Sequence, residues 1–448
     1  MFRRFRINPV TKADAVTNAA SALLNAGDFA QAEGLLRQAI QLDAVHQEAH
    51  LTLGLLLLEK KQLEEAARLL RYVIELNPQH HQALYVLGMV CADAGDLEEA
   101  EAAYRRAIEI APRHSDYHTC LGDLLKECNR LAEAEAAYRR ATRLEPHSAI
   151  AHNNRGTLFW QLGWLEKAEK AFRRAIRLDP RLATAHANLG KFLSQNGRAE
   201  EAEPLLRRAI QLDGQDWHAY FELGFLLQRS ERWAEAEETF RQVIAIDPTL
   251  GFVYFNLGLV LKQLDRLAEA EAMFHRTIEL DPLDAGAHNN LGDLFEASGR
   301  LAEAEEMYRC AIQLDPEYLY PHFCLGVLLE QSGQLEEAEA MYRRVIDLDP
   351  QEPDGYDKLG LLCLKQQRFT EAEELYRRLT QIDAQNWHGF YNLACIFSQQ
   401  NDTEQAFAYL SSAASLPDFD HALACQDPDL APLRTDARFA SIVQHHES

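Results

Sequence analysis

The stretch "GRLAEAEEMYRCAIQLDP", from Gly299 to Pro316, decides the fold. "DRLAEAEAMFHRTIELDP" runs from Asp265 to Pro282, and "NRLAEAEAAYRRATRLEP" from Asn129 to Pro146. The first two starts are 34 residues apart and the last two 136, which is four times 34. A phrase repeated on a fixed ruler of this length signals stacked copies of one supersecondary unit.

With units starting at residue 13 + 34n, twelve fit without a gap from Ala13 to Asp420. Position 20 of the unit is Ala in all twelve, from Ala32 through Ala304 to Ala406. Position 8 is Gly in ten, from Gly54 to Gly360, with Ala20 and Ala394 in the end units. Position 24 is Tyr, Phe or Leu, for example Tyr104, Phe172 and Tyr342, and position 32 is Pro in eight units.

Each unit reads as two helices. Leu291, Leu294 and Phe295 recur at helical spacing, and Gly299 can take the positive φ that ends the first helix. Leu301, Ala304, Tyr308, Ala311 and Ile312 form one stripe on the second helix, closed by Asp315-Pro316 because Pro cannot continue it. Antiparallel helices approach closely only where side chains are small. Gly at position 8 is therefore expected to face Ala at position 20, with the large residue at position 24 beside them. Neither helix buries its stripe alone, so neighbours must stack into a continuous core. Glu at position 21 precedes Arg at position 25 by one turn in nine units, a solvated face supported by i,i+4 pairs.

The spacing Leu291-Gly292, Ala304, Tyr308 and Pro316 resembles the tetratricopeptide repeat (TPR) family. That resemblance implies an all-α, right-handed superhelical solenoid of stacked antiparallel helix pairs. The expected organisation is a basic N-terminal arm over residues 1–12, twelve repeats over 13–420, and capping helices with a frayed tail over 421–448. Leu430, Leu433, Phe439 and Ile442 give the cap its apolar pattern. Arg155 in place of Leu, Pro204 within a second helix and Gly214 in place of the closing Pro mark units 5 and 6 as candidates for an irregular joint.

Composition narrows the function. The formal net charge is −24, with 69 acidic and 45 basic residues, which disfavours nucleic acid and anionic membranes and favours a basic partner. Acidity also serves solubility. Eight scattered cysteines form no CxxC pair and read as small core hydrophobes in a reducing compartment. No secretory signal and no 18-residue apolar run is found, so the expected location is the cytoplasm. Nucleotide-binding loops, GxSxG and HExxH are absent, so no enzyme is expected. His50, His118, His152, His186, His288 and His322 share unit position 4, where stacking sets equivalent side chains too far apart for one ion. Neither a metal nor a cofactor is expected.

In the family the first helices line a concave groove, and the resemblance assigns unit positions 2, 5, 6, 9, 12 and 13 to it. Position 6 is Asn at Asn154, Asn188, Asn256, Asn290 and Asn392, and Asn153 and Asn289 stand at position 5. A carboxamide both donates and accepts, so it can hold a peptide backbone of any sequence. The pattern is similar to an interrupted form of the asparagine ladder in O-linked N-acetylglucosamine transferases. These residues could equally cap or bridge neighbouring helices, and both readings stand. Phe221, Phe225, Phe252, Phe255, Tyr320 and Phe323 are either anchors on the same face or part of the core. The reading favoured here is a non-catalytic scaffold that holds an extended segment or partner helix in the groove. A targeting subunit of a separate enzyme, such as a glycosyltransferase, and a self-assembling structural protein are the alternatives.

Overall fold

The computed structural model describes residues 12–417 and 419–443, and among them every regular element is helical. The basic arm and the tail "QHHES" lie outside the described residues, apart from Lys12, which opens the first helix. The chain divides into two compact units, Met1–Leu226 and Leu227–Ser448. Within each, helices follow one another in antiparallel pairs. The pairs run from Lys12–Asn25 with Phe29–Leu42 to Trp387–Gln399 with Thr403–Ala414. From Gln47 onward the first helix of each pair starts at unit position 1, as at His81, Ser115, Ala149 and Ala285.

The small residues are buried as expected, but their partners differ. All position-20 alanines are fully buried. The position-8 glycines face the large residue at position 24. A Cβ on Gly292 would lie 2.7 Å from the Tyr308 ring, and one on Gly88 would lie 2.5 Å from Tyr104. The ring lies flat against a backbone stripped of its side chain, so glycine is a steric requirement. The end units pair Ala20 with Leu36 and Ala394 with Leu410, but a Cβ on Gly54 or Gly190 would lie 3.0 or 2.7 Å from Leu70 or Leu206, so leucine alone does not make room for a methyl. Tyr308, Ala304 and Ala311 have no solvent exposure, whereas Leu301, the first residue of its helix, is exposed. In the first unit one cluster of buried side chains continues from Ala20 to Leu158.

Turn chemistry also differs from expectation. Position 15 adopts positive φ whether it is glycine, as at Gly299 (73°), or not, as at Asn129 (57°) and Lys61 (56°). Between repeats, Asp at position 31 accepts a hydrogen bond from the backbone N–H two residues on. The same bond forms where proline is missing: Val45 to Asp43 (3.2 Å), Gln215 to Asp213 (3.0 Å) and Gln385 to Asp383 (3.0 Å). Proline is thus not required for this bond, and at Ala111-Pro112 the turn forms without a carboxylate. Position 4 ties this turn to the next helix. His118 Nε2–H donates to Pro112 O (3.1 Å) and His152 to Pro146 O (3.2 Å), while the hydroxyls of Tyr254 and Tyr356 reach Pro248 O (3.1 Å) and Pro350 O (3.3 Å).

Repeats 5 and 6 keep the ruler, and the division of the chain falls instead within the helix Trp217–Arg229. Helix Ala199–Leu212 runs through Pro204. Ala202 already bonds Arg198 O, so Pro204 lies past the free amides and gives up a real partner, the Glu200 carbonyl. Its ring faces solvent, where a helix can bend to accommodate it. Arg155 is half-buried, reaches Glu135 at 2.8 Å and lies over the Phe159 ring.

The charged face links repeats as well as turns of helix. Glu101, Arg105, Arg130 and Glu133 close a four-membered ring across one joint, with contacts of 2.7, 3.2, 2.7 and 2.7 Å. Glu237, Arg241, Arg266 and Glu269 repeat it in the second unit at 2.9, 3.3, 2.6 and 2.7 Å. In the equivalent ring, hydrogen bonding from Arg368 holds the Glu339 carboxyl down to about 2. After the last pair, segments His421–Gln426, Pro428–Leu433 and Ala437–Val443 bury Leu430, Leu433, Phe439 and Val443, with Ile442 partly exposed. Cys91, Cys363 and Cys395 are buried and Cys425 is exposed, contrary to a uniform core role. No helix among the described residues is long and apolar enough to cross a membrane.

Two consequences are measurable. Gly292→Ala should cost about 1–3 kcal/mol by overpacking Tyr308. In the double variant with Tyr308→Leu the combined loss should be smaller than the sum of the single losses, because the ring that the methyl meets is gone. Denaturant titration of the four proteins tests this, and additive losses would refute the contact. Burial lowers the pKa of His118 and His152 from the ordinary value of 6.5. The unfolded chain then takes up protons first, so the stability tied to the neutral rings is present above pH 6.5 and lost as pH falls below it. Replacing both by Tyr, which keeps a donor to the proline carbonyl, should flatten the fall in melting temperature between pH 7.5 and 5.5.

Candidate functional site

Two cavities open on the first helices, one in each unit, and both are lined by unit positions 2, 5, 6, 9 and 12. The cavity in the first unit has a volume of about 580 Å³ and that in the second about 380 Å³. Charge at positions 9 and 12 places ionic groups on a face otherwise built from amides, hydroxyls and rings.

In the first unit the asparagines form a relay between repeats. Asn188 Nδ2 donates to Asn153 Oδ1 (3.0 Å), and Asn153 Nδ2 to Asn154 Oδ1 (3.2 Å). Asn154 Nδ2 then donates to both oxygens of Asp123 (3.0 and 3.1 Å). The Tyr138 hydroxyl, from position 24 of the same repeat as Asp123, also donates to that carboxylate (2.5 Å). Burial raises the Asp123 pKa above the usual carboxylate value, against these hydrogen bonds. Lys191 pairs with Glu222 at 2.5 Å across the next joint.

In the second unit the pattern is looser. Asn256 and Asn290 donate to carbonyls of their own helices, Phe252 O (2.7 Å) and Gly286 O (2.9 Å). Asn289 is 2% exposed and its Oδ1 has no hydrogen-bond partner. Lys262 Nζ pairs with Asp293 Oδ2 at 2.8 Å, and the Tyr308 hydroxyl lies 3.1 Å from Asp293 Oδ1 and 2.8 Å from Glu296 Oε2. Burial and the Asp293 carboxylate push the Cys324 thiol up to about 12, so it stays protonated. Asn392, in the last pair, is half-buried beside Tyr391, whose hydroxyl is taken by Asp427 of the closing segment.

The aromatics divide by depth. Phe225 (38%), Phe252 (41%) and Tyr320 (50%) keep substantial exposure. Phe221, Phe255 and Phe323 are half-buried. Phe255 and Phe323 lie 5.8 and 6.4 Å from the core rings of Phe274 and Tyr342. Among the expected asparagines, Asn153 and Asn289 are buried and the others half-buried. The sequence reading missed Asp123, Lys191, Glu222, Lys262 and Asp293. Their signal was a charge at positions 6, 9 or 12 of otherwise apolar or amide-bearing helices, masked by carboxylates everywhere else. Among the described residues no group of three or more His, Cys, Asp or Glu side chains is placed to hold a metal ion.

The position-24 hydroxyls give a direct test of this polar face. Tyr138→Phe should cost about 1–3 kcal/mol, because it strips a donor from the semi-buried Asp123. Tyr376, fully buried with no partner for its hydroxyl, should tolerate Phe without loss or with a gain. Equal destabilisation of the two variants in chemical denaturation would overturn the assignment.

Comparison with known proteins follows this geometry. Tetratricopeptide repeat models match residues 17–72, 62–115, 121–183, 255–318 and 324–386. Further models of the same description match 159–223 and 193–249, 103–136, and 388–418. No curated protein matches the chain. Among solved structures, YrrB, described as a TPR protein with an unusual peptide-binding site, is 26% identical, with a TM-score of 0.35 over 42% of this chain and 97% of its own. PilF of Pseudomonas aeruginosa is 21% identical, with a TM-score of 0.42 over 46% of this chain and 95% of its own. MamA is 23% identical, with a TM-score of 0.35 over 36% and 94%. With matches along more than half its length, the chain belongs to the tetratricopeptide repeat family.

Proposed function

We propose that the chain is a non-catalytic scaffold of twelve repeats over residues 13–420, closed by residues 421–443. It holds an extended protein segment or a partner helix along the face made by positions 2, 5, 6, 9, 12 and 13. The observation that carries this reading is that cavities in both units are lined by equivalent unit positions. A surface that recurs with the repeat suits a ligand that is itself periodic, and an extended backbone is such a ligand. The asparagines at position 6 serve as rungs of an interrupted ladder. Asn256 and Asn290 spend their Nδ2 groups locally and keep a carbonyl oxygen for a backbone N–H. Phe225, Phe252 and Tyr320 are the exposed anchors, supported by Phe221, Phe255 and Phe323. The net charge of −24 favours a basic partner in the cytoplasm.

Replacing Asn256 and Asn290 together by Ala tests the reading. Each substitution gives up one local hydrogen bond worth about 0.5–1.5 kcal/mol, so the fold should survive. Affinity for peptides selected from a random display library on the wild-type chain should fall about tenfold or more. Lowered melting with unchanged affinity would show that these carboxamides only brace the helices.

A further inference from the structure

The cavity in the second unit leaves acceptor capacity unmet, although Gln263, Tyr318 and Tyr320 also bring donors to its walls. It is built on helices Gly251–Gln263, Ala285–Ala297 and Leu319–Gln331, and its walls include Lys262, Asn289, Asn290, Asp293 and Tyr320. Tyr308 has one hydroxyl proton, yet it faces two carboxylates, Asp293 at 3.1 Å and Glu296 at 2.8 Å. Lys262 supplies the other oxygen of Asp293 at 2.8 Å. A carboxylate offers about four lone-pair sites, so acceptor capacity is left over on both acids. Two carboxylates against one ammonium also leave the cluster negative.

Asn289 adds an independent sign. It is 98% buried on the cavity wall, and its Oδ1 has no donor. The equivalent oxygen in the first unit, Asn153 Oδ1, receives Asn188 Nδ2 at 3.0 Å. In the second unit the residue at the place of Asn188 is Cys324, which has no carboxamide to give. A buried acceptor without a donor is costly, and natural structures keep few of them. The missing chemistry is therefore a group with several N–H donors and positive charge.

We propose that this cavity receives the guanidinium of an arginine side chain carried by the segment bound along the groove. The inference rests on the peptide-binding reading above and names one residue of the partner. A guanidinium presents five N–H donors in a plane and accepts nothing. Its fork spans the Asn289 carboxamide oxygen and the Asp293 carboxylate, and its flat face stacks on the half-exposed Tyr320 ring. Lysine has the charge but not the planar fork. The first-unit cavity differs at this point: Asn188, Asn154 and Tyr138 supply Asn153 and Asp123 there, so no buried carboxamide oxygen is left open, although Asp213, Asp216 and Glu222 make that cavity acidic too.

Peptides selected from a random display library on the full chain supply the probe. The strongest binder is measured by fluorescence anisotropy as selected, with its arginine replaced by citrulline, and with lysine in its place. Binders should share an arginine. Citrulline, equal in shape but neutral, should weaken wild-type binding about tenfold or more, and lysine should weaken it by more than about threefold. Against Asn289→Leu and the exposed Tyr320→Ala, the citrulline penalty should shrink below about threefold. Tyr320→Ala carries the comparison should the buried variant fail to fold. A citrulline penalty unchanged in both variants, or absent in the wild type, overturns the proposal, and lysine binding as tightly as arginine overturns the guanidinium assignment. Peptides that bind and respond to Asn256→Ala and Asn290→Ala, but share no arginine, leave the groove reading intact and remove this one. No binding by any peptide removes both.

Discussion

A ring lying on bare backbone is the contact on which this architecture depends. In repeat after repeat an aromatic at position 24 fills the space where a glycine at position 8 has no side chain, with backbone-to-ring distances that exclude even a methyl. The contact fixes how closely the two helices of a pair approach, and the fully buried alanine at position 20 keeps that approach open. Because this spacing is set by hard-core repulsion, pairs that share the Gly and ring contact approach to a similar distance. Similar pairs can then stack, and the core continues from one to the next.

Stacking is completed by polar chemistry at both ends of the pair. In most repeats a carboxylate at position 31 braces the turn, with or without proline, and the position-4 His or Tyr bonds either the proline carbonyl or, as at His288 and His322, the N-cap carbonyl of its own helix. On the second helices, rings of two glutamates and two arginines span several of the joints within each unit. Exposed ion pairs are individually worth about 0–1 kcal/mol, so their contribution lies in the way each ring spans a joint. The same hydroxyls that finish the core also reach outward. Tyr138 and Tyr308 are fully buried rings whose oxygens touch Asp123 and Asp293, coupling the packing of a pair to the polarity of its first-helix face.

The two cavities show how one repeated frame can present different chemistry. In the first unit the Asn188–Asn153–Asn154–Asp123 relay satisfies itself. In the second, a cysteine at the place of Asn188 breaks the relay and leaves an acceptor buried. Leu259 likewise stands at the place of Asp123, so a few changes on the rungs turn a closed network into an open one on the same helical frame. The chemistry of that face is written residue by residue on a surface whose geometry the core has already set.

The fold was legible because its determinants are local and periodic. The 34-residue recurrence of small and large residues, the helix lengths and the positive-φ position all follow from spacing along one chain. The face on which Asn256, Asn290 and Tyr320 stand came from the family resemblance and not from spacing. Spacing could not say that glycine meets the ring rather than the alanine, that Asp123 and Asp293 matter among so many acids, or that Arg105 bridges to the next repeat. Nor could it tell a carboxamide tied to a neighbour from one left without a donor. Those facts depend on which side chains from different repeats come within hydrogen-bond distance. Only the assembled stack sets such distances, because the partners are some thirty residues apart in sequence and meet through packing alone.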